Sequence, residues 1–289
     1  MIEPTTAAQH TFGTSAFAVT SDDRRLHYMV RGIGEPTVVF ESGMGFSRSI
    51  WGLVQPSVAE RVRTVVYDRA GTGRSDDDPQ PRTLDRLAGD LDSVLRELGS
   101  GPFILVGHSW GGPIVRVAAA ADPTRIQGLV LIDQSDENCE LYFAPSAQKK
   151  NAVARVLIPL LARSGLYRLL GSRIGGAQPA DVAADHHAED FTVRAARTLL
   201  AEQDQFGAEL WRLRQRPPAL GALPVSVISG TKMPRLGHDT RTALTAAHRQ
   251  TAAMSPNRRL VEAPGSGHLI MFSEPELIVE EILHSVGIV

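Results

Sequence analysis

The chain has 289 residues, and its 30 basic and 32 acidic side chains give a formal net charge of -2. This balance gives no electrostatic basis for binding nucleic acid or a membrane surface, so we expect neither as a partner. Hydrophobic residues make up 43% of the chain and charged residues 21%, which argues against long disordered segments.

Cysteine content and the N-terminal segment bear on the cellular location. The single cysteine, Cys139, excludes an intramolecular disulfide. No reactive motif surrounds it, so we expect a small, buried or partly buried residue. Residues 1–15 lack the basic start and apolar run of a secretory signal, and no segment has the roughly 18 consecutive apolar residues of a membrane span. These features predict a cytoplasmic location.

The first third of the chain alternates strand and helix patterns. Residues 16–20 and 26–31 flank a Ser-Asp-Asp turn, which predicts a hairpin. Thr37–Glu41 and Thr64–Tyr67 are short, β-branched apolar runs, and residues 49–61 between them have apolar side chains at helical spacing. A strand, a helix and a second strand in this order predict a parallel pair.

The same alternation continues up to residue 133. Helical spacing predicts helices over residues 83–98 and 114–121, and apolar runs predict strands over residues 103–106 and 126–133. These runs do not alternate with polar residues. We therefore expect a sheet that is covered on both faces.

The pattern changes between residues 134 and 221. This segment has helical material and no convincing strand, which predicts a helical insertion. Strand character returns at residues 224–229 and 259–262. Helices are predicted over residues 240–253 and 274–285.

A candidate nucleophile lies between the predicted strand 103–106 and the following helix. The motif Gly107-His108-Ser109-Trp110-Gly111 has the G-x-S-x-G form of a nucleophile elbow. A serine on such a tight turn projects from the carboxyl edge of the sheet, and small residues two positions away on each side prevent clashes. We predict that Ser109 is a catalytic nucleophile.

A serine hydroxyl needs a general base to become nucleophilic. The best candidate is His268, in the glycine-bearing loop after the last predicted strand. Two backbone N–H groups are also needed to bind the oxyanion. We predict that these come from Trp110, directly after the nucleophile, and from Met44, in the glycine-bearing turn after Thr37–Glu41.

Other polar residues have simpler explanations than ligand binding. His186 and His187 lie in a polar run without further metal-ligand spacing, so we expect solvated side chains and no metal site. Arginines on predicted loops are expected to be solvated or paired with acids. These arginines are Arg48, Arg69 and Arg74.

With these motifs, the chain resembles the α/β-hydrolase fold superfamily from about residue 16 to the end. The segment from Asp68 to Ser75 also matches its D-x-x-G-x-G-x-S turn. The resemblance implies an α/β fold with a mostly parallel, twisted, eight-stranded sheet, helices on both faces and an inserted helical cap. Residues 1–133 and 222–289 would form the core, and residues 134–221 would form the cap.

The acid of the catalytic triad departs from the usual pattern of the superfamily. The acid commonly follows the strand after the cap, but Met233 occupies the expected position here. A variant in the superfamily places the acid one strand earlier, and the corresponding residue is Asp133. We predict that Asp133 orients His268 through a hydrogen bond. The alternatives are Asp136, Glu137 and Asp239.

These groups together specify acyl transfer through an acyl-enzyme. We predict hydrolysis of a small, mostly apolar carboxylic ester or lactone, without a metal or organic cofactor. The apolar residues expected at the substrate are Phe46, Leu269 and Met271. Two alternatives stay open: the same triad in a lyase, perhydrolase, peptidase, C–C bond hydrolase or acyltransferase, and a weakly active binding module. The sequence does not distinguish a monomer from a homodimer.

Overall fold

The protein folds around one eight-stranded sheet in a computed structural model that describes residues 10–171, 174–175, 177–234 and 237–288. The strand order is β1-β2-β4-β3-β5-β6-β7-β8. The first two strands form an antiparallel hairpin, β2 also pairs antiparallel with β4, and the other pairs are parallel. The strands are β1 Thr14–Val19, β2 Arg25–Arg31, β3 Thr37–Glu41, β4 Thr64–Tyr67, β5 Phe103–His108, β6 Ile126–Ile132, β7 Val225–Gly230 and β8 Arg258–Ala263. The predicted hairpin and the mostly parallel sheet are confirmed.

Ten helices are described. They are α1 Gln55–Ala59, α2 Leu84–Leu98, α3 Gly111–Ala121, α4 Pro145–Arg163, α5 Leu166–Gly171, α6 Ala180–Glu189, α7 Val193–Gln215, α8 His238–Ala253, α9 Ile270–Ser273 and α10 Pro275–Val286. The single helix predicted over residues 49–61 is wrong. A 3-10 turn, Arg48–Trp51, precedes α1, because Pro56 lacks an N–H and is tolerated in the first turn of a helix but not in its interior.

Helices cover both faces of the sheet, as predicted. Successive side chains of β5 point to opposite faces, and Leu105 and Val106 belong to different core clusters. One cluster includes apolar residues of α2 and α3, and the other includes residues of α1 and α10. A strand buried on both sides needs no polar residues, which explains why its sequence does not alternate.

Helices α4 to α7 lie between β6 and β7, within residues 134–221. No strand is assigned to the described residues of this insertion. Ion pairs join it to the core. Arg48 is buried and pairs with Asp185 and Glu189 of α6, and the more exposed Arg74 pairs with the same two carboxylates. The expected pairing of loop arginines with acids is therefore confirmed.

His186 is not solvated, so that part of the prediction is wrong. Its ring is buried, and Nδ1 lies 2.8 Å from Ser49 Oγ and 2.8 Å from the carboxylate of Asp190. The polar composition around His186 did not indicate its burial. His186 lies on the face of α6 that packs toward the core. Within the described ranges, no group of three or more His, Cys, Asp or Glu side chains is arranged to hold a metal ion.

Cys139 is a buried free cysteine, as predicted. Burial raises the pKa of its thiol, which disfavours the reactive thiolate. None of the helices in the described part of the chain is long and apolar enough to cross a membrane.

Candidate active site

Ser109 lies on a sharp turn between β5 and α3. Its φ is +53°, a left-handed conformation that is uncommon for any residue except glycine. The glycines on either side allow this turn to pack closely. A Cβ at Gly107 would lie 2.6 Å from the carbonyl oxygen of Gly111, and a Cβ at Gly111 would lie 2.5 Å from that of Glu41. The local geometry is that of a nucleophile elbow.

Asp133 follows β6 at the same edge of the sheet, and its buried carboxylate is fully hydrogen-bonded. Oδ2 accepts a hydrogen bond from Nδ1 of His268 over 2.7 Å. Oδ1 accepts from the backbone N–H of Gly230 over 3.0 Å, and Arg241 donates to both oxygens. Burial alone would raise the pKa of this carboxyl, but the hydrogen bonds from His268 and Arg241 hold it well below its usual range. Asp133 is therefore an anion at neutral pH.

His268 lies in the loop between β8 and α9, and 46% of its side chain is exposed. Since Nδ1 donates to Asp133, the neutral ring carries its free lone pair on Nε2, the atom that a general base uses. Its carbonyl oxygen accepts a hydrogen bond from Nε2 of His108 over 3.0 Å. Both the ring and the backbone of His268 are thus held by residues at the carboxyl ends of neighbouring strands.

His108 was not expected to contribute to the site. The two imidazole centroids of His108 and His268 are 4.8 Å apart. Burial, together with the nearby ring of His268, lowers the pKa of His108 to about 3, so it stays neutral. Its position inside the G-x-S-x-G motif was the available signal. The motif alone does not show that this side chain reaches the histidine loop.

The two predicted oxyanion donors belong to adjacent turns. A Cβ at Gly43 would lie 3.2 Å from Cβ of Ser109, which places the turn after β3 against the elbow. Within the described residues, the backbone N–H groups of Met44 and Trp110 donate no hydrogen bond to the protein. Unpaired N–H groups at the start of a helix and in a glycine turn are suited to a developing negative charge.

Arg69 supports the turn that carries Met44. Its guanidinium is buried and donates to the carbonyl oxygens of Ser42 and Gly43, the latter over 2.8 Å. It also pairs with Glu41 and, over 2.9 Å, with Glu202 of α7. The Gly43 carbonyl and the Met44 N–H belong to one peptide group. Arg69 therefore fixes the direction in which that N–H points.

The three alternative acids of the triad make no hydrogen bond to His268 in the described structure. Asp136 accepts hydrogen bonds from Thr251 and Asn138, and Glu137 is paired with Arg116. Asp239 is exposed in the first turn of α8. Met233, which is exposed, stands at the usual position of the acid and has no carboxylate. Of the four acids considered, Asp133 is the one that contacts His268.

The predicted substrate-contacting residues differ in burial. Met271 is fully buried in the core cluster shared with α1 and α10, so packing alone explains its apolar side chain. Phe46 and Leu269 are partly buried against the same cluster. The indole ring of Trp110 lies in the opposite cluster and packs on Phe206 of α7, with ring centroids 5.1 Å apart.

A cavity of about 500 Å³ is lined by Phe206 and other residues of the insertion, and by Thr240 of α8. Its aromatic lining consists of Tyr142, Phe143 and Phe206, and the start of α4 contributes Gln148 and Asn151. The sequence patterns did not identify this cavity, because its walls come from four separate segments of the chain. The packing of Phe206 on Trp110 connects the wall of the cavity to the residue after Ser109.

Comparison with known proteins identifies relatives of the chain. The family model described as "Alpha/beta hydrolase family" matches residues 38–281. A protein of Azorhizobium caulinodans named "Putative carbamate hydrolase RutD" is 34% identical over 111 residues, which cover 38% of this chain and 42% of that protein. The match thus spans less than half the length of that relative.

Two solved structures are similar over nearly the whole chain. Est816, an N-acyl homoserine lactone degrading enzyme, is 22% identical with a TM-score of 0.70, covering 92% of this chain and 99% of that one. A thermophilic esterase from Thermogutta terrifontis is 21% identical with a TM-score of 0.69, covering 94% and 97%. At these identities the likeness demonstrates a common fold.

Proposed function

This chain belongs to the alpha/beta hydrolase family, and on that premise we propose that it is a serine hydrolase of small, mostly apolar carboxylic esters or lactones. The observation that carries the proposal is the hydrogen bond of 2.7 Å between Asp133 and His268, at the sheet edge where Ser109 occupies its strained turn. An anionic acid, a histidine with Nε2 free and an elbow serine are the parts of a Ser-His-Asp triad.

The proposed reaction proceeds through an acyl-enzyme. Ser109 Oγ attacks the carbonyl carbon while Nε2 of His268 takes its proton, and Asp133 stabilises the resulting imidazolium. The N–H groups of Met44 and Trp110 bind the oxyanion. The intermediate then expels the alcohol, which receives the proton from His268. Water activated by the same histidine hydrolyses the acyl-enzyme, and this sequence of steps requires no cofactor.

The substrate class is inferred from the cavity and its surroundings. Three aromatic residues line its wall, which favours an apolar acyl or alcohol group. Phe46 and Leu269 are proposed contacts on the other side of the site. The helical insertion would act as a cap over both. The similarity to an esterase and to a lactone-degrading enzyme agrees with an ester or lactone substrate.

A fluorophosphonate probe followed by peptide mapping tests the proposal. We expect labelling at Ser109, because the probe needs an activated serine and an oxyanion site. A panel of short esters and lactones, with analysis of the products in water, then separates hydrolysis from lyase or acyltransferase chemistry. Failure to label Ser109 in the folded protein would contradict the proposal and favour a binding module.

The role of Arg69 gives a separate prediction. Arg69→Lys keeps the positive charge but loses the fork that reaches the Gly43 carbonyl and Glu202 together. We expect kcat to fall about tenfold with little change in KM. Loss of one oxyanion donor costs about 10²–10³ in kcat, and in this variant the Met44 N–H is reoriented rather than lost. Arg116→Lys, which alters a buried pair with Glu137, is the matched control. An unchanged kcat in Arg69→Lys would exclude this role.

A further inference from the structure

Arg241, on α8, donates hydrogen bonds to both oxygens of the Asp133 carboxylate. Its Nη1 donates to Oδ1 over 2.6 Å, and its Nη2 donates to Oδ2 over 3.0 Å. Nη1 also donates to the carbonyl oxygen of Gly230 over 3.0 Å. Both members of this pair are buried. A two-point ion pair away from solvent is strong and fixes the orientation of the carboxylate.

We propose that Arg241 is a positioning residue that holds Asp133 for His268 and extends the activity of the enzyme to lower pH. The proposal rests on the proposed function, because it concerns the same triad. Oδ2 of Asp133 receives hydrogen bonds from both Arg241 and His268. The guanidinium therefore offsets part of the negative charge that an imidazolium at His268 would encounter. An imidazolium at His268 is therefore stabilised less than it would be beside a carboxylate without this counter-charge.

The location of the acid explains why an arginine is needed there. Asp133 comes from the end of β6, with a φ of +41°, and it must reach toward the loop after β8. The intervening strand β7 contributes the N–H of Gly230 to Oδ1. Arg241 approaches from α8, beyond the end of β7, and binds the remaining lone pairs. The carboxylate is thus fixed from two sides, and its second oxygen faces Nδ1 of His268.

Other ionisable groups around this pair do not replace the charge of Arg241. His108, from β5, is neutral because burial lowers its pKa to about 3. His248, on α8, is hydrogen-bonded to Ser229 and to the Gln134 carbonyl rather than to the carboxylate. Burial raises the pKa of Tyr142, which faces Asp133 from the segment after β6, so it is uncharged. Arg69, which also influences His108, is itself paired with Glu41 and Glu202.

The test is the dependence of kcat/KM on pH for a p-nitrophenyl ester. Arg241→Gln keeps a hydrogen-bond donor and removes the charge, whereas Arg241→Lys keeps the charge. We expect the acidic limb of the profile to move up by about one pH unit in Arg241→Gln. The limb should stay at the wild-type pH, within error, in Arg241→Lys. A purely structural role would lower activity by the same factor at every pH.

Arg116→Gln is the matched control, because Arg116 makes a similar buried, two-point ion pair with Glu137. It should lower thermal stability and leave the acidic limb in place. Arg241→Met serves as a second charge-free variant, with the same upward shift expected. If the acidic limb of the pH profile does not move in the folded charge-free variants, the proposed role of Arg241 is wrong, while the proposed function is unaffected. Absence of fluorophosphonate labelling at Ser109 in the wild-type protein would instead contradict the proposed function.

Discussion

Ser109→Ala is expected to lower kcat by at least about 10⁴-fold. In the proposed mechanism, removing Oγ deletes the atom that forms the acyl-enzyme, and neither the Asp133–His268 pair nor the proposed oxyanion donors can replace it. The fold should persist, since alanine retains the Cβ that the turn already accommodates at a φ of +53°. Ester turnover with matched thermal melts of both proteins would measure the effect.

The chain offers a matched control serine. Ser15 Oγ lies 2.8 Å from Nε2 of His27, and Nδ1 of His27 lies 2.8 Å from Asp68. These three residues reproduce the hydrogen bonds of a triad, but Ser15 lies within β1 rather than on a strand-to-helix turn. We expect Ser15→Ala to keep wild-type turnover and fluorophosphonate labelling. Activity in folded Ser109→Ala, or its loss in folded Ser15→Ala, would be evidence against Ser109 as the nucleophile.

The fold could be predicted from the sequence because its signals are local. Apolar runs such as Thr37–Glu41 are too short for a helix and too uniformly apolar for a solvent-facing strand. The G-x-S-x-G motif is informative for a similar reason, since the tight turn itself demands small residues beside Ser109. The single helix expected over residues 49–61 does not form, because Pro56 is tolerated in the first turn of α1 but not in the interior of a longer helix.

Long-range contacts within the site were harder to predict. Arg241 belongs to an amphipathic helix, and nothing in its local sequence indicates that its side chain reaches Asp133, 108 residues earlier in the chain. The same holds for Arg69 and Glu202, which meet only because α7 of the insertion packs over the turn after β3. The composition of a chain does not indicate which of its charged side chains are buried. A net charge of -2 is compatible with a chain whose interior contains several arginine–carboxylate pairs.

Asp133→Asn is expected to lower kcat by about 10⁴-fold. An asparagine cannot stabilise the imidazolium by charge, and its amide can hold His268 in the wrong tautomer. The change also leaves Arg241 buried without a counter-ion, which costs about 3–5 kcal/mol of folding stability. Activity must therefore be measured well below the melting temperature of the variant.

Two further variants separate catalysis from stability at Asp133. Asp133→Asn combined with Arg241→Met removes the stranded cation, so the double variant should recover stability relative to Asp133→Asn without recovering activity. Asp239→Asn, on the exposed first turn of α8, should retain wild-type turnover. Wild-type activity in Asp133→Asn would reject this acid and direct attention to Asp136 and Glu137. Because both are already hydrogen-bonded or paired elsewhere, either would have to change partners before it could orient His268.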